Sequence, residues 1–191
     1  MPTPSRTSLT EIVAAARSII ESEGLDGLTM QRVASEVGVR APSLYKRVSG
    51  RGELIKLIAE EAVEELRMAL ETASQGSDPR VNLAAMARAF REFAHRRAES
   101  YRLVFAPTSD EWRPDPAKLA AAVRPVVETA GVLAGSQHGL EAARLVTAWA
   151  HGFVTMELAG AFRLEGDIDS AFSFGIDRIA ASLASARDSV G

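Results

Sequence analysis

Apolar side chains recur along most of this chain at intervals of about three or four residues, the spacing that places them on one face of an α-helix. Residues 8–11 read S-x-x-E, a capping box that predicts the start of the first helix, and Gly24 is expected to end it. Thr29 is a suitable cap for a short second helix. Pro42 is expected at the first position of a third helix, which makes Ala41 its cap, although alanine has no side-chain acceptor for that role.

Further helices, all but one of them long, are predicted after residue 50. They are expected at residues 51–73, 81–97, 101–105, 117–134, 139–164 and 168–186. Pro125 should kink or break one of them, because proline has no amide hydrogen to donate and its ring clashes with the preceding turn. The segment 139–164 has few charges along its middle and is expected to be buried on most sides. No segment shows strand-like alternation, so the pattern predicts an all-α fold, preceded by a disordered arm at residues 1–7.

The composition is that of an ordinary globular chain, and it narrows the classes of function. Apolar residues make up 47% and charged residues 25% of the 191 positions, and the absence of cysteine excludes disulfides and thiolate metal sites. No apolar run approaches the roughly 18 residues that span a bilayer, and the first residues lack the apolar core of a signal peptide. We therefore expect a cytoplasmic protein with no membrane partner.

Catalytic and metal sites find little support in the sequence. Histidine occurs only three times, and His138 and Glu141 have the i, i+3 spacing of a metal-binding pair, but no second pair completes a site. Neither a Gly-rich phosphate loop nor a nucleophile elbow is present, whereas the sequence alone leaves a Ser/His/Asp triad open. The expectation is a protein that is not an enzyme and that has no cofactor and no metal.

Positive charge is concentrated in residues 29–51. This stretch has five basic residues and one acidic residue and so carries +4, while the whole chain carries −3 and the remainder therefore −7. Two short predicted helices meet here at Gly38, and such a pair forms a helix-turn-helix, which presents its second helix to the DNA major groove. An ordinary αα-corner is the alternative to this interpretation.

The candidate DNA contacts lie on the third helix and at the ends of its neighbours. They are Thr29, Gln31, Arg40, Ala41, Pro42, Ser43, Tyr45, Lys46, Arg47 and Arg51. Arg40 and Lys46 can donate to guanine O6 and N7, and the apolar surface of Ala41 and Pro42 can touch a thymine methyl. The hydroxyl of Tyr45 can reach a phosphate.

Residues 28–54, LTMQRVASEVGVRAPSLYKRVSGRGEL, resemble the DNA-binding domain of the TetR family of bacterial transcriptional repressors. The resemblance implies a helix-turn-helix domain at residues 1–52, followed by an effector-binding and dimerisation domain at residues 53–191. Arg51 stands where the family usually has a lysine that contacts the DNA backbone. Residues 149–160, WAHGFVTMELAG, resemble a tryptophan-histidine-glycine motif of one TetR subgroup.

Large apolar side chains and one histidine on the later helices are candidates for the lining of an effector cavity. They are Met86, Phe90, Phe93, Phe105, Trp149, His151, Phe153 and Met156, with Arg144, Thr147 and Glu157 as further polar candidates. Such a lining suits an apolar ligand that a few polar groups orient. The alternative is that these residues are plain core, which is what a stripe of methionine and aromatic residues at helical spacing usually forms.

By the resemblance, the last two helices would pair with their copies across a two-fold axis, and small residues such as Ala148 and Gly152 would allow this four-helix interface to pack closely. The expected function is a ligand-responsive transcriptional regulator, typically a repressor. As a homodimer it would bind a near-palindromic operator in double-stranded DNA, and a small, largely apolar effector would release it. The alternative is a dimeric DNA-binding regulator without such an effector, controlled by a protein partner.

Overall fold

The computed structural model describes residues 7–188, and all regular secondary structure in that range is helical, which confirms the all-α prediction. The α-helices of the described residues are α1 (Leu9–Gly27), α2 (Met30–Glu36), α3 (Ala41–Leu44), α4 (Arg51–Ala73), α5 (Pro79–Arg96), α6 (Ala98–Phe105), α7 (Pro116–Ala134), α8 (Gly139–Leu158) and α9 (Ile168–Asp188). Short 3-10 turns form at Asp110–Trp112 and Ser136–His138. No helix within the described range is both long and apolar enough to cross a lipid bilayer. The arm expected at residues 1–7 lies, but for its last residue, outside the described residues.

The chain forms two compact units that interleave along the sequence. The first unit comprises Met1–Val63 and Arg97–Lys118, and the second comprises Glu64–Arg96 and Leu119–Gly191. Helix α4 therefore contributes residues to both units, and α6 packs on α1 within the first unit. The functional boundary expected at residue 52 stays a prediction, because the division by packing falls inside α4.

The first three helices enclose a small apolar core. Its buried side chains are Ile12, Ala16, Ile19, Ile20, Leu28, Val33, Ala34 and Leu44. Helix α1 begins with the predicted capping box: the Glu11 amide donates to Ser8 Oγ (3.1 Å), and the Ser8 amide donates to Glu11 Oε2 (2.7 Å). The predicted end at Gly24 coincides with a break in the helix. Gly24 interrupts the helix with a φ of 75°, and one more turn, ending at Gly27, then carries the chain to the buried Leu28.

Helix α3 is shorter than predicted and has a different cap. It spans Ala41–Leu44 and is capped by Arg40 rather than by Ala41, without a capping hydrogen bond from any side chain. Pro42 thus occupies the second helical position, where its missing amide costs no helical hydrogen bond, because the first amides of a helix have no acceptor within it. Residues 45–47 follow in a turn conformation instead of extending the α-helix.

In the second unit, α5 packs against α8 and α9, and Leu83 and Phe93 are among its fully buried side chains. Helix α7 runs through Pro125 as one helix, so the predicted break is absent, while the kink stays a prediction. The residue four positions earlier, Ala121, is exposed, and water can therefore satisfy the carbonyl that Pro125 leaves without an amide partner.

Helix α8 ends at Leu158 rather than at residue 164. Gly160 adopts a φ of 63°, and the amides of Gly160 and Ala161 donate back to carbonyls of the last helical turn, each at 2.9 Å. This arrangement is a Schellman motif, which satisfies the terminal carbonyls and turns the chain out of the helix. Glycine favours it because the left-handed conformation strains any residue that has a Cβ.

The two last helices expose apolar side chains, so α8 is not buried on most sides as predicted. Leu140, Leu145 and Met156 of α8 are 50%, 53% and 48% exposed, and Phe174 of α9 is 64% exposed. The low charge density of α8 therefore belongs to an apolar face that no other residue of the described part of the chain covers.

Candidate DNA-binding interface

The turn between α2 and α3 has a defined geometry. Gly38 has a φ of 71°, its amide donates to Ser35 O (3.3 Å), and the Val39 amide donates to Ala34 O (2.9 Å). These two bonds form a Schellman motif that ends α2 and fixes the direction in which the chain leaves it. The predicted helix-turn-helix is thus built on a rigid corner.

Buried anchors determine which face of the recognition segment, residues 40–48, is exposed. Leu44 and Val48 are 0% and 2% exposed and lie in the core with Val33. The opposite face carries the exposed side chains of Arg40, Pro42, Ser43, Tyr45, Lys46 and Arg47. Tyr45 is 55% exposed, which argues against a role for its ring in the core.

Arg32 is not available as a free charge, although it contributes to the local charge of +4. Its guanidinium pairs with Glu36 at 2.6 Å and with Glu23 at 2.9 Å. The hydrogen bond to Glu36, followed by the one to Glu23, raises the pKa of Arg32. The pairing links α1 to α2 on the surface of the first unit.

Arg51 is also engaged within the chain. Its Nε donates to Leu28 O (2.8 Å), and its Nη2 donates to Leu25 O (2.7 Å). Of the five basic residues in this stretch, Arg32 is held by carboxylates and Arg51 by backbone carbonyls, whereas Arg40, Lys46 and Arg47 have neither kind of partner within residues 7–188.

The start of α2 presents two further predicted contacts. Thr29 Oγ1 accepts the Arg32 amide at 3.1 Å, as the predicted cap should, and both Thr29 and Gln31 are exposed. The amides at a helix start carry partial positive charge, which favours a phosphate nearby. The exposed surface thus combines three cations, three hydroxyl groups and an apolar proline edge, the groups that contact phosphates and base edges in DNA.

The candidate effector-lining residues divide into several environments. Met86, Phe90 and Phe93 are buried in the second unit, at 1%, 7% and 0% exposure. Phe105 belongs to the first unit, where its ring lies 4.8 Å from that of Tyr101.

On α8, Trp149, His151 and Phe153 are half-buried, whereas Met156 is exposed. The further polar candidates differ as well: Arg144 is exposed and Thr147 is half-buried.

Trp149 and Phe153 belong to an aromatic cluster that the sequence did not predict as a unit. Ring centroids lie 5.0 Å apart for Trp149 and Phe172, 5.1 Å for Phe153 and Phe172, and 4.7 Å for Phe153 and Phe162. An added Cβ at Gly175 would lie 2.3 Å from the Trp149 ring, so a glycine is needed where α9 passes the indole. The cluster makes these aromatic residues part of the packing between α8 and α9.

An ion-pair cluster beside the aromatic rings was also missed. Arg91 donates to both carboxylate oxygens of Glu157 (2.8 and 2.5 Å) and to Asp169 (2.7 Å), and His95 Nε2 lies 2.9 Å from Glu157. The Arg91 hydrogen bond lowers the pKa of Glu157. The Arg91 guanidinium lies 5.0 Å from the Phe172 ring centroid.

The two sides of this cluster are far apart in sequence, so periodicity gives no signal for the pairing. The i, i+4 spacing of Arg91 and His95 is the only local hint.

Family models match both parts of the chain. Residues 12–62 match the model described as bacterial regulatory proteins, tetR family, and residues 83–179 match a tetracyclin repressor-like C-terminal domain. The chain belongs to the TetR family. TetR-family relatives are transcriptional regulators rather than enzymes, which confirms that expectation.

Individual relatives agree with this assignment. The chain is 28% identical over 184 residues to the HTH-type transcriptional regulator Rv0681 of Mycobacterium tuberculosis, covering 94% of this chain and 83% of the relative. Its first part is 49% identical over 57 residues to the HTH-type transcriptional repressor DrrR1 of Streptomyces coeruleorubidus, covering 30% and 21% of the two chains. A TetR variant of Acinetobacter baumannii, crystallised with minocycline, shares the fold with a TM-score of 0.69 at 24% identity, covering 95% and 98% of the two chains.

Proposed function

We propose that this TetR-family chain is a ligand-responsive repressor that binds a near-palindromic operator as a homodimer and is released by a small, largely apolar effector. The observation that carries the DNA-binding part is the set of basic side chains on the recognition segment that no carboxylate of the described residues neutralises. A basic patch on a net-acidic chain favours local contact with DNA over non-specific adhesion of the whole surface.

Base reading in this proposal falls to the exposed face of α3 and its following turn. Lys46 and Arg40 donate to guanine, Ser43 donates to or accepts from a base edge, and Ala41 with Pro42 contacts a thymine methyl. Phosphate contacts fall to side chains at the margin of this surface. They are Thr29, Gln31, Tyr45 and Arg47.

A homodimer is supported by the uncovered apolar face of α8 and α9. Leu145 and Phe174 are more than half exposed, and the exposed Ala148 and Gly152 allow another helix to approach closely. Two copies would then present two recognition segments about 34 to 36 Å apart, the length of one DNA turn. The operator would share the two-fold symmetry of the dimer.

An effector site is proposed in the second unit, where α5 packs on α8. Met86, Phe90 and Phe93 would supply apolar surface, and Trp149, His151 and Phe153 the more accessible side chains. The minocycline complex of the Acinetobacter baumannii TetR variant supports a small-molecule effector for this fold. Phe105 and Met156 are weaker candidates, since the first belongs to the other unit and the second is 48% exposed.

Helix α4 supports a mechanical link between effector and DNA, because residues at its two ends belong to different units. An effector that binds one tilt of α4 more tightly than another would change the spacing of the two recognition segments. The loss of operator affinity would equal the coupling energy, about 1 to 3 kcal/mol. An effector with equal affinity for both states would have no effect.

Selection of bound sequences from random DNA tests the DNA-binding part. We expect enrichment of a near-palindrome with half-site centres about 10 base pairs apart. Lys46→Gln should weaken binding to the selected sequence, while Arg124→Gln, which removes an exposed charge from α7, should leave it unchanged. Equal losses for both variants would contradict the assignment of the recognition segment.

Dimerisation is tested separately by sedimentation. Leu145→Glu places a carboxylate in the proposed interface and should yield monomers with greatly weakened operator binding. Val81→Glu, at a position on α5 that is 60% exposed, is the matched control and should stay dimeric. A wild-type monomer at micromolar concentration would contradict the paired half-site geometry.

The effector is tested by thermal-shift measurements on a panel of apolar aromatic compounds, with minocycline, which is polar and ionisable, added as a separate comparison. A hit should both stabilise the protein and release the selected DNA, and its stabilisation should shrink in Phe153→Leu but not in Leu164→Ala, at a position that is 93% exposed. A panel without any stabilising compound would favour the alternative, a dimeric regulator that a protein partner controls.

A further inference from the structure

Arg51, at the first position of α4, is held by the end of α1. Its two hydrogen bonds, to Leu28 O and Leu25 O, are 2.8 and 2.7 Å long. Carbonyls at a helix C-terminus lack the usual amide partner four residues ahead. Leu25 O accepts the cap amide of Leu28 at 3.2 Å, and Arg51 adds a second donor to it and a donor to Leu28 O. Arg51 therefore acts as a cap for α1 that is contributed by α4.

The location of these two carbonyls matters for the recognition segment. Leu28 is the residue immediately before Thr29, the cap of α2, and α1 has already been interrupted at Gly24. The short stretch between Gly24 and Thr29 thus determines the angle at which α2 leaves α1. By bonding to this stretch, Arg51 joins the base of the helix-turn-helix to the first turn of α4.

Trp112 covers the guanidinium from another side. The Arg51 Cζ lies 5.8 Å from the centroid of the Trp112 ring, within the range of a cation–π interaction. A Cβ added at Gly52 would lie 3.5 Å from the indole Nε1, so a side chain larger than methyl at this position would meet the ring. Alanine would still fit at Gly52 in ordinary contact with the indole, so the ring limits the size of the side chain at this position without requiring glycine.

The segment that carries Trp112 is itself attached to the first unit at both ends. At its start, Glu21 of α1 accepts the Ser100 amide (3.1 Å), the Ser100 hydroxyl (2.5 Å) and the Glu99 amide (3.2 Å), and so caps α6. At its end, Lys118 pairs with Glu60 of α4 at 2.6 Å. These attachments hold residues 97–118 against the helices that Arg51 joins.

We propose that Arg51 is a positioning residue, not a phosphate contact, and that Trp112 holds it in place. Through Arg51, residues 97–118 set the angle between the recognition segment and α4. This role differs from the backbone contact that the family resemblance assigns to a lysine at this position. The operator experiments below rest on the proposed DNA-binding function, whereas the hydrogen-exchange experiment does not.

The salt dependence of operator binding separates positioning from phosphate contact. Each phosphate contact contributes about 0.9 to the slope of log K against log[salt], so losing one contact per subunit of a dimer changes the slope by about 1.8. We expect Arg51→Gln to weaken binding about tenfold with an unchanged slope, because it loses internal hydrogen bonds. A variant that removes a phosphate contact, for which Arg47→Gln is the matched choice, should lower the slope.

A conservative replacement of Arg51 is a second way to distinguish a positioning role from a phosphate contact. Arg51→Lys keeps the charge but lacks the planar fork that reaches two carbonyls beneath an aromatic ring. We expect it to bind the operator about as weakly as Arg51→Gln, and we expect Trp112→Leu to show a similar loss. The double variant Arg51→Gln/Trp112→Leu should be less impaired than the sum of the two single losses. Full binding by Arg51→Lys together with a reduced slope for Arg51→Gln would overturn the proposal.

Amide hydrogen exchange tests the same proposal without DNA. Exchange at residues 25–34 should be faster in both Arg51→Gln and Trp112→Leu than in the wild type, while exchange in α5 and α9 stays unchanged. The unchanged helices serve as the check that each variant is folded. If residues 25–34 exchange at the wild-type rate in folded variants, Arg51 does not position this region and the proposal is wrong, whatever the protein binds.

Discussion

The recognition segment and the contact between α5, α8 and α9 use charged side chains in opposite ways. Among residues 7–188, Arg40, Lys46 and Arg47 have no carboxylate partner, whereas Arg91 is bound by Glu157 and Asp169. Arg91 and Glu157 are only 17% and 10% exposed, and an aromatic ring lies against the guanidinium.

The difference shows what each set of charges can do. An arginine that is already bound by carboxylates stabilises a fold and offers little to a ligand, while exposed cations without partners gain most from a polyanion. Substitutions at the α5–α8–α9 contact should therefore change stability, and substitutions in the recognition segment should change DNA affinity.

The largest effect is expected for Phe172→Ala. Phe172 is 0% exposed and contacts Trp149, Phe153 and Arg91, so its truncation leaves a cavity and removes ring contacts. We expect a loss of about 3 to 5 kcal/mol in the free energy of unfolding. Urea denaturation measures it, with Leu164→Ala at a position that is 93% exposed as the control. A loss below about 1 kcal/mol would mean that the cluster is loosely packed.

Glu157→Gln should have the next largest effect. At neutral pH it removes the carboxylate that Arg91 and His95 share and should cost about 2 kcal/mol of stability. The pKa of Glu157 in the folded protein lies below its ordinary value of 4.5, chiefly because Arg91 donates to it. Its stabilising contribution is therefore complete above pH 4.5 and is lost as the pH falls through the folded-state pKa.

Urea denaturation between pH 3 and pH 7, a range chosen to bracket that ordinary pKa of about 4.5, tests this dependence. The wild type should lose more stability than Glu157→Gln as the pH falls, while Glu165→Gln, at an exposed position, should behave like the wild type. Parallel curves for wild type and Glu157→Gln would contradict the role of this carboxylate.

The sequence predicted the features that depend on interactions between residues close together in the chain. The turn at Gly38, the cap at Thr29 and helix α4 depend on neighbouring residues, and their patterns were sufficient. The end of α8 was predicted wrongly, at residue 164, because Gly152 continues that helix while Gly160 ends it, and composition does not distinguish them.

Contacts between segments that are distant in the sequence could not be predicted from local patterns of residues. The pairing of Arg91 with Glu157 and that of Arg51 with the Leu25 carbonyl each join residues on different helices. The sequence supplied the candidate DNA-reading side chains, but it could not separate Arg51 and Arg32, which are engaged within the chain, from Lys46, which is not.

Lys46→Gln is expected to weaken operator binding by about 1 to 3 kcal/mol while leaving the urea midpoint unchanged. The reason is that Lys46 is exposed and makes no ion pair within residues 7–188. Fluorescence anisotropy with the selected operator measures the affinity. An unchanged affinity, or a large loss of stability, would contradict the claim that charges in the recognition segment serve DNA binding while those at the α5–α8–α9 contact serve stability.

Arg32→Gln should have the smallest effect on DNA binding. Its charge is balanced by Glu23 and Glu36, so its removal should leave the salt slope of operator binding unchanged, unlike the removal of a phosphate contact. The same anisotropy titration, repeated at several salt concentrations, provides the measurement. A slope reduced as much as that of Arg47→Gln would show that Arg32 leaves its carboxylates for DNA.

The most direct test of the central claim is the ratio of affinities for the selected operator and for a scrambled duplex of the same composition at one salt concentration. If the recognition segment reads bases, the wild type should prefer the operator by at least about a thousandfold. Lys46→Gln should reduce that preference. A wild-type ratio near one would contradict the claim that this surface recognises a DNA sequence.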